Sequence, residues 1–176
     1  MSKKIQFQKL EATGNDFILV DARKQDIPSE KLELISPKTC HRNTGIGADG
    51  LLILYHDTTI GADYTMIYKN ADGSDAGMCG NGGRAMALYA SQNGFSNTHH
   101  IQVHDQIYEA FVHQGSHQVE LQFPDSDAPC PLSKHWLDHV NSAYPVQNLN
   151  KETTNTRIFM VKAAFKAYPQ TEHVVL

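Results

Sequence analysis

The chain is poor in the residues that staple a fold or anchor it in a bilayer. Its 176 residues hold three cysteines, an odd number without paired spacing. That argues against a disulfide framework and for a reducing, cytoplasmic setting. No apolar run approaches the length of a membrane span, and the basic start MSKKIQFQKL is not followed by the apolar stretch of a secretory signal. A formal charge of −4 gives no electrostatic reason to expect nucleic acid or an anionic membrane as partner. Neither a P-loop nor a G-x-G-x-x-G fingerprint is present, so no phosphate or dinucleotide cradle is indicated. What remains, 40 % hydrophobic and 19 % charged residues, is the composition of a soluble globular domain.

Histidine is not scarce: there are ten. His135 and His139 stand four apart in SKHWLDH, a spacing that can present two imidazoles on one helical face. No zinc-protease pattern and no CxxC pair accompany them. His99, His100, His104, His113 and His117 fall in strand or loop sequence without a common ligand geometry. Neither a metal nor a cofactor is expected.

Along the chain, strand patterns outnumber helical ones. Ile5 and Phe7 alternate with glutamines, and Phe17 to Val20 form an apolar block, with the turn chemistry of ATGND between them. There, Gly14 and Asn15 tolerate positive φ. Ser29 predicts an N-cap for a helix of two or three turns that Pro37 cuts near its end. Leu51 to Tyr55 and Tyr64 to Tyr68 read as strands. The segment 80–93 reads as a helix with few charges after Arg84, buried on most sides and capped by Asn93 and Gly94. HIQVHDQIYEAFVHQGSHQVELQF reads as a three-stranded meander. A proline-rich loop then leads to a short helix capped by Ser133, and TRIFMVKAAFKAYP and EHVVL are again strand-like. The hairpin order of these strands argues for α+β rather than a doubly wound sheet. The apolar terminus HVVL reads as a docked strand or one cut short.

The stretch MCGNGGR, residues 78–84, carries the chemistry. A helix N-terminus offers unpaired N–H groups and partial positive charge, which favour a bound carboxylate and lower the pKa of a thiol placed there. Gly80, Gly82 and Gly83 would let a ligand approach the backbone. An inert buried cysteine in a glycine-rich turn is the plainer reading. With no Cys-His signature nearby, a working thiol would serve as Brønsted acid or base, moving a proton on and off carbon.

In order, ATGNDFILVD, RNTGIGADGLLIL, YKNADGSDAGMCGNGGR and TEHVV resemble the N-terminal half of diaminopimelate epimerase. The resemblance implies pyridoxal-independent inversion at the α-carbon of LL-diaminopimelate, giving the meso isomer for lysine and peptidoglycan synthesis. It implies a fold of two similar lobes, each a mostly antiparallel or mixed sheet wrapped around a central helix, with the site in the cleft between. Cys79 matches a catalytic cysteine. Gly80 and Asn81 match positions that hold the substrate's α-carboxylate and amino group. Asn15 and Asn70 match substrate-binding asparagines, for which a turn role is the alternative. His173 matches a histidine near the reacting centre. Thr171 stands where an asparagine often binds substrate, and Gly50 where some relatives carry glutamine.

Two-base inversion needs a second thiol on the opposite face of the carbon. Cys40 follows a helix pattern and Cys130 lies between prolines, so neither is expected to serve. On this reading residues 1–176 form one N-terminal lobe without its C-terminal counterpart, and self-association, as a homodimer or with the missing lobe, is expected from the face left bare. Rival readings are another isomerase of the same fold group, such as a proline racemase or a phenazine-pathway isomerase, and a half-domain that only binds or assembles.

Overall fold

The computed structural model describes residues 4–25, 28–56 and 60–123 (the side chain of Ser29 aside), and beyond them the backbone of three strands. The chain divides into two compact units, 1–123 and 124–176.

The first unit opens with a hairpin, β1 (Gln8–Ala12) and β2 (Asn15–Asp21), in which Ala12 pairs with Asn15. The two loop residues, Thr13 and Gly14, both take positive φ, at 52° and 88°. That is the signature of the type I′ turn that matches strand twist. The left-handed conformation therefore falls on Thr13 and Gly14, and Asn15 is already in the strand. The alternation at Ile5 and Phe7 does not extend β1: the backbone of Gln6 is instead paired by the side-chain amide of Gln25, which accepts from its N–H at 2.8 Å and donates to its carbonyl at 2.9 Å.

Two short helices follow, α1 (Ser29–Glu33) and α2 (Ser36–Thr39), where one longer helix was expected. Pro28 occupies the cap position and Ser29 is the first helical residue. Pro37 lies in the first turn of α2, where its missing N–H costs no ladder bond, so it starts a helix rather than ending one. Then come β3 (Gly50–His56), β4 (Tyr64–Asn70), the two-residue β5 (Asp75–Ala76), α3 (Gly80–Gln92), β6 (Thr98–Val103), β7 (Gln106–Val112) and β8 (Val119–Leu121). They form one eight-stranded sheet in the order β1-β2-β3-β4-β6-β7-β8, with β5 on β4. The β2–β3 and β4–β6 pairs are parallel and the others antiparallel, so the sheet is mixed.

Helix α3 packs against β1, β2, β3, β4, β7 and β8. One helix can touch strands near both edges only if the sheet curls around it. Ala85, Met86, Ala87, Tyr89 and Ala90 are buried, which accounts for the scarcity of charge in this segment. Its end is as expected, with Asn93 at the cap and Gly94 at φ 106°. The opposite face of β2 and β3 is covered too: Ile18, Val20, Leu51 and Ile53 form a second core with Leu32, Cys40 and Ala48. Strands sandwiched this way read as continuous apolar runs, as FILV and LLIL do.

His99 of β6 is fully buried beside the rings of Tyr64 and Phe95, at centroid distances of 5.5 and 6.1 Å. Its Nδ1 lies 2.8 Å from the carbonyl of Ser96. A carbonyl only accepts, so Nδ1 carries the proton. Among the described residues Nε2 has no partner. Burial pushes the imidazole below its ordinary value of 6.5, against the pull of the Ser96 carbonyl and Asp63. The unfolded chain then takes up this proton first. Stability is expected to be full above about pH 6.5 and to fall as pH drops from there through the folded-state value. Urea midpoints at pH 7.5, 6.5 and 5.5, with His99→Phe as reference, check this; a wild-type decline no steeper than that of the variant contradicts it.

In the second unit, β9 (Cys130–Pro131), β10 (Val161–Phe165) and β11 (Tyr168–Val175) pair antiparallel in the order β11-β10-β9. The last two confirm the strand reading of the C-terminal segments. The helix expected after Ser133, with His135 and His139, lies outside the described residues.

Candidate functional site

Cys79 is the N-cap of α3, with extended backbone (φ −104°, ψ 118°) and a half-buried side chain. Its Sγ accepts the N–H of Gly82 at 3.4 Å. The first bond of the helical ladder runs from the Gly83 N–H to the Cys79 carbonyl at 2.7 Å. The N–H groups of Gly80 and Asn81 stand ahead of it, at the positive end of the helix dipole. The three glycines divide their tasks. A Cβ on Gly82 would meet Leu52 at 3.2 Å, and one on Gly83 would meet Leu121 at 2.8 Å and Met78 at 3.1 Å. These two glycines serve helix–sheet packing, not ligand approach as the sequence suggested. At Gly80 the nearest neighbours, Arg84 and Phe123, are both 3.4 Å away, an ordinary contact.

The asparagines meet at the same mouth. Asn81 donates its amide N–H to Oδ1 of Asn15 at 2.6 Å and accepts from Arg84. Asn15 donates to Oδ2 of Asp49 at 3.1 Å. Parallel pairing of β2 and β3, with Phe17 opposite Gly50, brings Asn15 and Asp49 to one end of the sheet. Asp16 and Asp49 are locked together. Each donates its backbone N–H to the other's carboxylate, at 3.1 and 3.0 Å, and Arg42 bridges the two carboxylates at 2.8 and 2.7 Å. Lys9 adds a second cation on Asp16 at 2.8 Å. Hydrogen bonds from Arg42, then Lys9, hold Asp16 far below the usual carboxylate range. Asp49 is held down first by the Asn15 amide and then by the Asp16 N–H. Both are carboxylates at any physiological pH.

Asn70 ends β4, in register with Gly50. It is tied into its own turn: its Nδ2 donates to Ser74 at 3.0 Å, and its carbonyl accepts from Ser36 at 2.7 Å. Tyr68, two residues earlier, was not singled out from the sequence. Its ring stands edge-on to Phe17 and fills the space over Gly50, where a Cβ would overlap the ring and lie 2.7 Å from the Lys69 carbonyl. That explains a glycine at position 50. Burial, with Cys79 and Asp49 acting in the same direction, pushes the Tyr68 phenol up to about 12, so it stays protonated. Asp16, Arg42, Asp49 and Arg84 were missed as well; the available signal was their place inside the quoted motifs, with Asp16 next to Asn15 and Arg84 three residues from Asn81.

Cys40 is buried in the second core, 3.5 Å from Ser36 Oγ. Cys130 and His173 belong to the second unit. His173 lies in β11, paired with Ala163 of β10; Thr171 lies in the same strand, and the side chains of His173 and Thr171 are outside the described residues. Among the described residues, no three His, Cys, Asp or Glu side chains gather as a metal would require, and no helix is long and apolar enough to cross a membrane.

The fold places the protein in a recognisable class. It is shared with a PhzF-family phenazine biosynthesis protein of Bacillus anthracis, at TM-score 0.56 and 16 % identity over 97 % of this chain and 53 % of that one. A hydroxyproline epimerase of Agrobacterium vitis also has TM-score 0.56, at 11 % identity over 90 % and 48 %. Likeness at such identities concerns the fold alone, an α+β lobe with a mixed sheet around one helix. Residues 7–120 match the diaminopimelate epimerase family, and the chain belongs to it. It is similar to the diaminopimelate epimerase of Flavobacterium psychrophilum, 46 % identical over 84 residues, 48 % of this chain and 32 % of the relative. With that of Methanocella arvoryzae it shares 32 % identity over 166 residues, 89 % of this chain and 59 % of the relative. The chain thus spans less than two thirds of either relative's length.

Proposed function

We propose that this chain supplies one proton-transfer half of a diaminopimelate epimerase, with Cys79 as the acid or base at the substrate's α-carbon. One observation carries the reading: a half-buried thiol caps α3 beside two N–H groups and the linked amides of Asn15 and Asn81. In the forward step the Cα–H bond breaks and the proton passes to the sulfur of Cys79 as thiolate. The electron pair stays on the carbon and spreads into the α-carboxylate. That added negative charge is what the N–H groups of Gly80 and Asn81 and the helix dipole are placed to stabilise. Return of a proton to the same face gives exchange; delivery from the opposite face gives inversion. The second acid is assigned to neither Cys40, which is sealed in the core, nor Cys130. Asn70, held against Ser74, is the third substrate asparagine of this reading. A cytoplasmic, biosynthetic setting follows from the same reading.

The test is isotopic. The protein is incubated with LL-diaminopimelate in deuterium oxide, and the α-proton signal is followed by NMR alongside chiral analysis of the product. Loss of the α-proton is expected. If the ligand binds yet no deuterium enters, the reading fails, and a role in binding or assembly takes its place.

A further inference from the structure

The hydrogen bonds at the mouth of α3 form a directed chain whose two ends are charged. At one end, the carboxylate of Asp49 can only accept, and Arg42 holds it from outside at 2.7 Å. At the other, the guanidinium of Arg84 can only donate, and it donates to Oδ1 of Asn81. Between them lie two side-chain amides, each nearly symmetric in shape but opposite in polarity at its two tips. Because Asp49 accepts, Asn15 must turn its nitrogen toward it, at 3.1 Å. Its oxygen then faces Asn81 and takes that amide's N–H at 2.6 Å, which leaves the oxygen of Asn81 for Arg84. Turning either amide over would set oxygen against oxygen or nitrogen against nitrogen at both of its contacts.

We propose that Asp49 and Arg84 are positioning residues: together they fix which way the amides of Asn15 and Asn81 point, and so which groups those amides show to a ligand. Among the described residues each amide nitrogen uses one of its two N–H bonds, which leaves one donor on each for an acceptor oxygen. The proposal rests on the reading of Asn15 and Asn81 as substrate-binding residues. Arg42 acts one step further out by holding Asp49 and Asp16 in register.

The experiment uses the full chain labelled with ¹⁵N-asparagine, and LL-diaminopimelate as the probe. In wild type, the side-chain NH₂ groups of Asn15 and Asn81 are expected to give single, well-separated proton pairs. Asp49→Asn keeps the shape but lets that position donate as well as accept. It is expected to broaden or double both pairs and to weaken probe binding about 10- to 100-fold in calorimetry. Arg84→Met tests the chain from its other end, where a change of fold is less expected, and should disturb Asn81 more than Asn15. Unchanged NH₂ signals in Arg84→Met and in a folded Asp49→Asn overturn the proposal. Disturbed signals with unchanged affinity overturn the positioning role. If wild type binds no probe at all, the functional reading fails instead, while the NH₂ signals still decide whether the charged ends orient the amides.

Discussion

Replacing Cys79 by serine is expected to lower α-proton exchange by about 10²–10⁴-fold while leaving the fold intact. The sulfur has two separable duties. As N-cap it accepts the Gly82 N–H, a task a serine hydroxyl performs at least as well. As proton carrier it relies on the intrinsic acidity of a thiol, which a serine hydroxyl lacks. Cys79→Ala removes both duties: exchange should fall as far as in the serine variant, and stability should drop by about 1 kcal/mol because the cap is lost. Exchange rates and thermal midpoints of the two variants therefore separate chemistry from capping. Full exchange in the serine variant would remove the thiol from the mechanism, whatever the alanine variant does.

The largest stability effect is expected far from the thiol, at Asp21. This carboxylate is 5 % exposed and takes Arg23 in a fork, at 2.9 and 2.8 Å, together with the Tyr89 hydroxyl at 3.1 Å. Lys24 stands 3.5 Å away. The group ties the end of β2 to the C-terminal part of α3, since Arg23 also reaches the Asn93 carbonyl at 3.5 Å and lies over the ring of Phe95. Asp21→Asn leaves a guanidinium that is one-fifth exposed without its counter-charge. The expected loss is about 2–4 kcal/mol, toward the lower end of the range for broken buried pairs because Arg23 can regain some water. Burial works to raise the Asp21 pKa, but Arg23, Tyr89 and Lys24 outweigh it, and the folded value lies below the ordinary 3.8. The sign follows: this contribution is present above pH 3.8 and is lost as pH falls through the folded value. Urea unfolding of wild type and variant at pH 7 and at pH 3 checks both parts. A difference that stays the same at the two pH values contradicts the assignment.

Much of the lobe was legible in the sequence because its strands and α3 are locally consistent. FILV and LLIL are apolar on both faces and lie buried on both faces; GRAMALYA carries small and apolar residues where the sheet closes over it. The parts that were not legible depend on partners distant in the chain. Whether Ile5 and Phe7 extend a strand is decided by Gln25, whose amide occupies the backbone of Gln6. Whether Pro37 ends or starts a helix depends on the break between α1 and α2. The same holds at the site. Cys79, Gly80 and Asn81 were visible as one motif, but the link from Asn81 to Asn15 to Asp49 joins the start of a helix, the start of a strand and a loop, across separations of 66 and 34 residues. Only the parallel pairing of β2 with β3 and the seating of α3 bring them together. The role of Gly50 was hidden for a related reason, because it answers to a ring on the neighbouring strand.

The double-sided packing of β2 has a consequence for the chemistry at its tip. Side chains alternate along a strand, so a slip of one residue would exchange the contents of two hydrocarbon layers, Phe17 and Leu19 for Ile18 and Val20. No such slip is affordable, and Asn15 therefore inherits its location from oil-like contacts further along the same seven residues. Evolutionary drift in those layers is constrained twice over, by cohesion of the interior and by the aim of a polar group that never touches it.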